Sequence, residues 1–468
     1  MNSIDPRMGA FDAVMFGVEG DPLLRSVITV VAILDREPDQ DIIHDRVDRM
    51  SLATPKLRQR AIGNPLSLIP PRWETDPNFD MAYHLRWERA SEKTAGLSEV
   101  LELAETISEQ DFDRSRPLWE VHMVTGLSGG QAALIIKIHH AITDGMGGLA
   151  MAAALFDLER DPTAELPAKP AAPVGHVLDA KERIEQGIQV EIKSTFSDVK
   201  TTTRTLADLA KKGVTDPVTS AVDAQEFAAS AGRLLAPASE PLSALWTNRS
   251  LSVAFSVIEV DLHAMKKAAK AVGGTLNDAF MAAVTGGLAA YHELHGDNPG
   301  ALRVNMPINV RSANDTGAGA NQWVPARFVV PTNLADPAAR MRQLHPILTQ
   351  ARMEPALPVS RVVYKALALL PRPITTSIAG GLMKGTDFAA TNVPGPPIPV
   401  YLAGAKVDSM IPFAPKAGAA INVALMSYDG DVFLGVNIDR GAVTRPEELT
   451  DLLAESLESV IAVGTDRN

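Results

Sequence analysis

The chain has 468 residues, 46% of them apolar, which is ample for two buried cores, and its 44 basic and 56 acidic side chains give a formal net charge of −12. That acidic balance, with no Lys/Arg cluster interleaved with aromatics, points away from nucleic acid, and the absence of cysteine excludes disulfides and an acyl-cysteine intermediate. Met1 to Gly20 lacks signal-peptide character, and no apolar run reaches the roughly 18 residues that span a bilayer, so a cytoplasmic chain without a spanning helix is expected.

In chain order, Ser26 to Leu34 reads as a buried strand, Gln40 to Met50 as an amphipathic helix, Met81 to Arg89 as a strand and Ser98 to Glu109 as a helix. Trp119 to Val124 and Ala132 to His139 follow as strands joined by a glycine-rich, hairpin-like turn, Gly126 to Gly130. Leu149 to Leu158 is an apolar helix. From Asp161 the composition turns to Pro and Ala, marking an exposed linker, and residues up to about 250 read as a crossover carrying helices. The pattern then restarts. Ser252 to Val260 is a strand, Leu262 to Val272 and Leu276 to His295 are helices, and Leu302 to Val310, Trp323 to Val330, Ala389 to Val393, Ala419 to Tyr428 and Val432 to Ile438 are strands before a final helix, Pro446 to Ile461. Strands mixed with helices in both halves give two α/β layers: a first domain over 1–160, a linker over 161–250 and a second domain over 251–468.

Chemistry concentrates where the strand ending at His139 gives way to His139-His140-Ala141-Ile142-Thr143-Asp144-Gly145. Neighbouring strand residues point to opposite faces, so the two histidines divide their work: one packs into the domain while the other looks into a cavity. An imidazole with an ordinary pKa of about 6.5 can accept a proton from an alcohol at cellular pH. Asp144 can cap the following helix, pair with a cation, or do both, and Gly145 permits close approach of substrate. A metal reading is weak, because adjacent strand histidines diverge and His292-Glu293-Leu294-His295 lacks the required partners; no metal is expected.

Further segments carry a resemblance. HHxxxDG is the signature of acyltransferases with the chloramphenicol acetyltransferase-like fold. Pro117-Leu118-Trp119, Asn277-Asp278 and Asn392-Val393-Pro394-Gly395-Pro396, with the opening Met8-Gly9-Ala10-Phe11-Asp12, resemble in order the elements of the bacterial wax ester synthase/acyl-CoA:diacylglycerol acyltransferases. The resemblance implies an α/β fold of two chloramphenicol acetyltransferase-like domains, each a mixed sheet flanked by helices, with a tunnel between them. It implies transfer of a long acyl chain from acyl-CoA to diacylglycerol, or to fatty alcohols, with His140 as general base and His139 as structural support. No cofactor is implied beyond acyl-CoA as co-substrate, and the partners are lipids met at the inner membrane face or lipid bodies.

By the same resemblance Asp144 forms a structural ion pair, with Arg311 as the expected partner and Arg303 as its rival. Thr275-x-x-Asp278 reads on its own as a helix capping box. Functionally, Asn277 and that helix N-terminus are placed to stabilise a developing oxyanion. Gly286 and Gly287 within the helix predict a tight crossing with another backbone. Pro117, Leu118 and Trp119 are expected to shape a substrate wall, and Asn392 to Pro396 a rigid loop at the site. Two competing functions remain at this point: an acyltransferase using a carrier-bound donor, as condensation domains do, and a non-catalytic lipid-binding protein of the same fold.

Overall fold

A computed structural model describes residues 7–63, 70–91, 95–142, 145–162, 168–173, 240–309, 323–353, 364, 367–368 and 370–465. The described elements are α1 (Ala10–Val18), β1 (Val27–Leu34), α2 (Gln40–Ala53), β2 (Gln59–Ile62), β3 (Arg72–Thr75), α3 (Met81–His84), β4 (Leu85–Arg89), α4 (Leu97–Glu109), β5 (Trp119–Thr125), β6 (Ala132–His139) and α5 (Gly145–Leu155). The second half adds β7 (Val253–Asp261), α6 (Leu262–Ala271), α7 (Leu276–Leu294), β8 (Ala301–Asn309), β9 (Trp323–Pro331), α8 (Pro337–Arg352), α9 (Arg372–Lys384), β10 (Phe388–Pro394), β11 (Tyr401–Leu402), β12 (Ala405–Phe413), β13 (Ile421–Tyr428), β14 (Asp431–Asp439) and α10 (Pro446–Thr465). Most of the expected crossover lies outside the described residues.

Two six-stranded mixed sheets form, in the orders β11-β12-β1-β6-β5-β4 and β7-β14-β13-β10-β8-β9. Each has its own core, around Val31, Trp119 and Leu134 in one case and Phe280, Leu425 and Leu453 in the other. The sheets do not divide as the chain does. β12 arrives from the far half of the sequence and pairs antiparallel with β1, Thr29 opposite Phe413 and Val31 opposite Ile411. The region expected as one domain over 251–468 therefore lends two strands to the first sheet.

Two local departures have simple causes. Asp80 accepts a hydrogen bond from the Ala82 N–H, capping one helical turn, so the strand expected from Met81 starts only at Leu85. Lys137, expected on an alternating strand, is fully buried: β6 lies inside its sheet with α4 packed across it and β1. Its ammonium donates to the Gln110 carbonyl at 2.8 Å and lies 4.5 Å from the Phe112 ring centre, and burial pushes its pKa down to about 8.

The seam between the sheets is stitched by α4. β7 is an edge strand, and the Val253 and Phe255 N–H groups on its outer side donate to Glu109 and Glu105, each at 2.7 Å. Carboxylates four apart on a helix thus match N–H groups two apart on a strand, covering an edge that would otherwise invite pairing. Phe255 stacks on Phe413 with ring centres 3.9 Å apart. Beside this stack runs a cleft whose lining includes Arg25, Val27, Thr29, Glu109, Lys416 and Asn437.

The expected tight helix crossing is present. A Cβ on Gly287 would lie 2.7 Å from the Leu453 Cα, so α7 and α10 meet backbone to backbone there. Among the described residues no helix is long and apolar enough to cross a membrane.

Candidate active site

β6 delivers the histidine pair, and its neighbours fix where each goes. His139 is 1% exposed and enclosed by Phe16 and Phe112, whereas His140, one residue later, is half-buried. The chain turns at once: the Ile142 N–H donates to the His139 carbonyl at 2.9 Å and the His140 N–H to the Ser26 carbonyl at 2.8 Å. His139 Nδ1 accepts from the Ala141 N–H at 3.0 Å, so the ring proton resides on Nε2, which lies 2.8 Å from Glu19 Oε1, off the N–H axis. Both nitrogens of His139 are thereby committed inside the protein. Gly145 opens α5, while Asp144 lies outside the described residues, as does Arg311. The rival cation Arg303 donates to the carbonyls of Glu240 and Gly385 at 2.9 and 2.5 Å.

Glu19 was not singled out from the sequence. It follows α1 directly, its side chain 5% exposed, and takes hydrogen bonds from the Ser26 N–H and the Arg114 guanidinium, both at 2.7 Å. Burial alone would raise its pKa; the neighbouring His139, the Ser26 N–H and Arg114 outweigh that and hold the carboxyl below its ordinary range. Lys56 was missed as well. Its ammonium donates to the Ala141 carbonyl at 3.0 Å and lies 3.8 Å from the buried Asp12 carboxylate. The only sequence signal was a carboxylate closing an otherwise apolar helix, Ala10 to Val18, two turns after Asp12.

The Pro117-Leu118-Trp119 element is core rather than the expected substrate wall. Leu118 and Trp119 are each 1% exposed, the indole N–H donates to the Leu57 carbonyl at 2.8 Å, and the Trp119 ring stacks on His84 at 4.4 Å. Its link to the histidines is through the main chain, where the Leu118 carbonyl accepts the His139 N–H at 3.0 Å.

The other two elements meet. The Asn392 side-chain amide donates to Asn277 Oδ1 at 2.6 Å, joining β10 to the first turn of α7. That bond turns the Asn277 NH2 group the other way, leaving a donor beside a helix N-terminus, where backbone N–H groups add positive potential. Asp278 serves the cap. Its Oδ2, nearly sealed from solvent, accepts from the Thr275 N–H at 2.6 Å and the Thr275 hydroxyl at 2.9 Å, and lies 2.8 Å from His345 Nδ1. Gly395 is dictated by proximity, since a Cβ there would sit 2.2 Å from the Ser427 carbonyl oxygen on β13. α5 packs against β10, which brings the helix of the histidine motif to the strand bearing Asn392. Among the described residues no group of three His, Asp or Glu side chains is placed to hold a metal.

Two mixed sheets, the first completed by β11 and β12 from the far half of the chain, with a buried and a half-buried histidine side by side at the end of β6, match the fold and motif of the acyltransferases of the chloramphenicol acetyltransferase-like class. The model of the wax ester synthase/diacylglycerol acyltransferase catalytic domain matches residues 10–280, and that of the family's C-terminal domain residues 321–460. The chain belongs to the wax ester synthase/diacylglycerol acyltransferase family. It is 34% identical over 460 residues to a Mycobacterium tuberculosis protein named as a diacylglycerol O-acyltransferase, covering 98% of this chain and 92% of that one. A second protein so named in the same organism is 28% identical over 473 residues, 97% of each chain. In fold it is similar to the wax ester synthase/diacylglycerol acyltransferase of Marinobacter aquaeolei VT8, with a TM-score of 0.64 at 19% identity over 98% of this chain and 99% of the other. The first condensation domain of the calcium-dependent antibiotic synthetase follows at 0.60 and 15% identity, over 100% and 97% of the two chains.

Proposed function

We propose that this enzyme transfers a long-chain acyl group from acyl-CoA to the free hydroxyl of diacylglycerol, and to fatty alcohols, with His140 as the general base. The alcohol oxygen attacks the thioester carbonyl while its proton passes to His140; the tetrahedral intermediate then expels CoA thiolate, which takes that proton back. One C–O bond forms, one C–S bond breaks, and no bound cofactor is required. Donor and acceptor reach His140 from opposite sides of the seam, and the protein meets its lipids at the inner membrane face or lipid bodies.

Asn277 and the N-terminus of α7 stabilise the developing oxyanion, a type of interaction whose loss costs about 10²–10³ in kcat. Gly145, at the start of α5, allows close approach of substrate. The observation that carries the reading is the division between the histidines: His139 is consumed by interior contacts, so proton transfer falls to half-buried His140.

Purified protein is given radiolabelled palmitoyl-CoA with diacylglycerol or hexadecanol. Labelled triacylglycerol or wax ester, lost in His140→Ala while the fold persists, is the expected result. CoA release without lipid product would assign another acceptor, and full turnover in His140→Ala would remove it as the base.

A further inference from the structure

We propose that Glu19 is the positioning residue for the base: from the end of α1 it holds the backbone on both sides of His140. This rests on His140 being that base. One side runs through Ser26, whose N–H donates to Glu19 Oε1 at 2.7 Å and whose carbonyl accepts the His140 N–H at 2.8 Å. The other runs through His139, whose Nε2 lies 2.8 Å from the same Oε1 and whose Nδ1 accepts the Ala141 N–H at 3.0 Å. The two amides flanking the His140 Cα therefore lead, each through one intermediary, to a single carboxylate oxygen. The other oxygen is held by Arg114 at 2.7 Å.

The chemistry of the site demands a carboxylate. The Ser26 N–H, His139 Nε2–H and Arg114 guanidinium are all donors, and they converge on two oxygens. Only an ionised carboxyl accepts at both. Glutamine keeps the shape but must aim its NH2 at one of these donors. Glu19 is one element of a wider fixture, since Asp12, seven residues earlier, lies 3.8 Å from Lys56, whose ammonium holds the Ala141 carbonyl at 3.0 Å. α1 thus grips the turn at two points, and a displacement of the imidazole by about 1 Å can cost up to roughly a hundredfold in rate.

Glu19→Gln, Glu19→Asp and His140→Ala are compared with the wild type for kcat, KM for donor and acceptor, and hydrogen exchange of individual amides. In Glu19→Gln, kcat should fall by about ten- to a hundredfold with both KM values within about twofold. The His140 and Ala141 amides should exchange faster while amides in α7 and α10 keep wild-type protection, a local signature that general destabilisation does not give. Glu19→Asp, which withdraws the charge by one methylene, should show the same pattern more weakly, and it carries the test should the Gln variant not fold. Wild-type kcat and unchanged exchange at His140 and Ala141, with His140→Ala inactive, would overturn the positioning role while leaving the base assignment standing. Turnover retained in His140→Ala would remove the base assignment and, with it, this role.

Discussion

The side-chain amide of Asn392, on the last strand before the Pro-Gly-Pro turn, donates to the side-chain oxygen of Asn277 at 2.6 Å. Two motifs 115 residues apart in sequence are thereby one structural unit, in which the strand residue dictates which way the helix residue's amide faces. Asn277→Ala should lower kcat by about 10²–10³. Asn392→Ala, which frees that amide to rotate, should lower it less. The double variant should be no slower than Asn277→Ala alone; strictly additive losses in steady-state kinetics would mean that the two amides act separately.

His84 should make the protein sensitive to mild acid. Its ring lies between Phe79, at 5.0 Å, and Trp119, at 4.4 Å, and its Nδ1–H donates to the Trp119 carbonyl at 2.7 Å. A second proton on the enclosed Nε2 has no acceptor, and burial pushes the pKa from 6.5 to about 4. Between those values the unfolded chain binds the proton and the folded one does not, so this contribution is fully present above about pH 6.5 and is lost as pH falls toward 4. A shift of that size corresponds to about 3 kcal/mol as an upper figure. Urea titrations at pH 4.5 and 7 should show a smaller difference for His84→Phe than for the wild type; an equal difference would place the sensitivity elsewhere.

Glycines in two helices should respond oppositely to alanine. At Gly287 the new methyl would meet the Leu453 Cα at 2.7 Å, backbone that cannot swing aside, so Gly287→Ala should destabilise by about 1–3 kcal/mol. At Gly381, exposed on α9, nothing lies within 4 Å of the added carbon, and Gly381→Ala should stabilise by about 0.5–1 kcal/mol. Thermal unfolding separates the two, and a neutral Gly287→Ala would mean that α10 shifts freely against α7.

Much of this was legible in the sequence because local chemistry wrote it there. The β6 strand ends at His139 as its alternation predicts, the Thr275–Asp278 cap precedes α7, and Gly287 marks a close crossing. What stayed hidden involves partners distant in sequence. Glu19 and His139 are 120 positions apart, and no periodicity links a carboxylate after one helix to an imidazole at the end of a strand. Trp119 was expected at a substrate wall because aromatic residues line both walls and cores, and only its packing on His84 decides between them. β12, whose Ala405 to Phe413 sequence includes a proline, went unrecognised because its partner β1 lies at the opposite end of the chain.

That late partner bears on how the molecule is made. While the ribosome is still translating the second half, the Val-Ile-Thr-Val-Val-Ala-Ile-Leu strand at residues 27–34 has β6 on one flank and nothing on the other, an apolar rim of the kind that recruits stray chains. Only after residues 405–413 emerge can that rim close. The nascent first half must therefore wait for its own tail, and a fragment ending at residue 160 would keep the histidines but leave the rim beside them open.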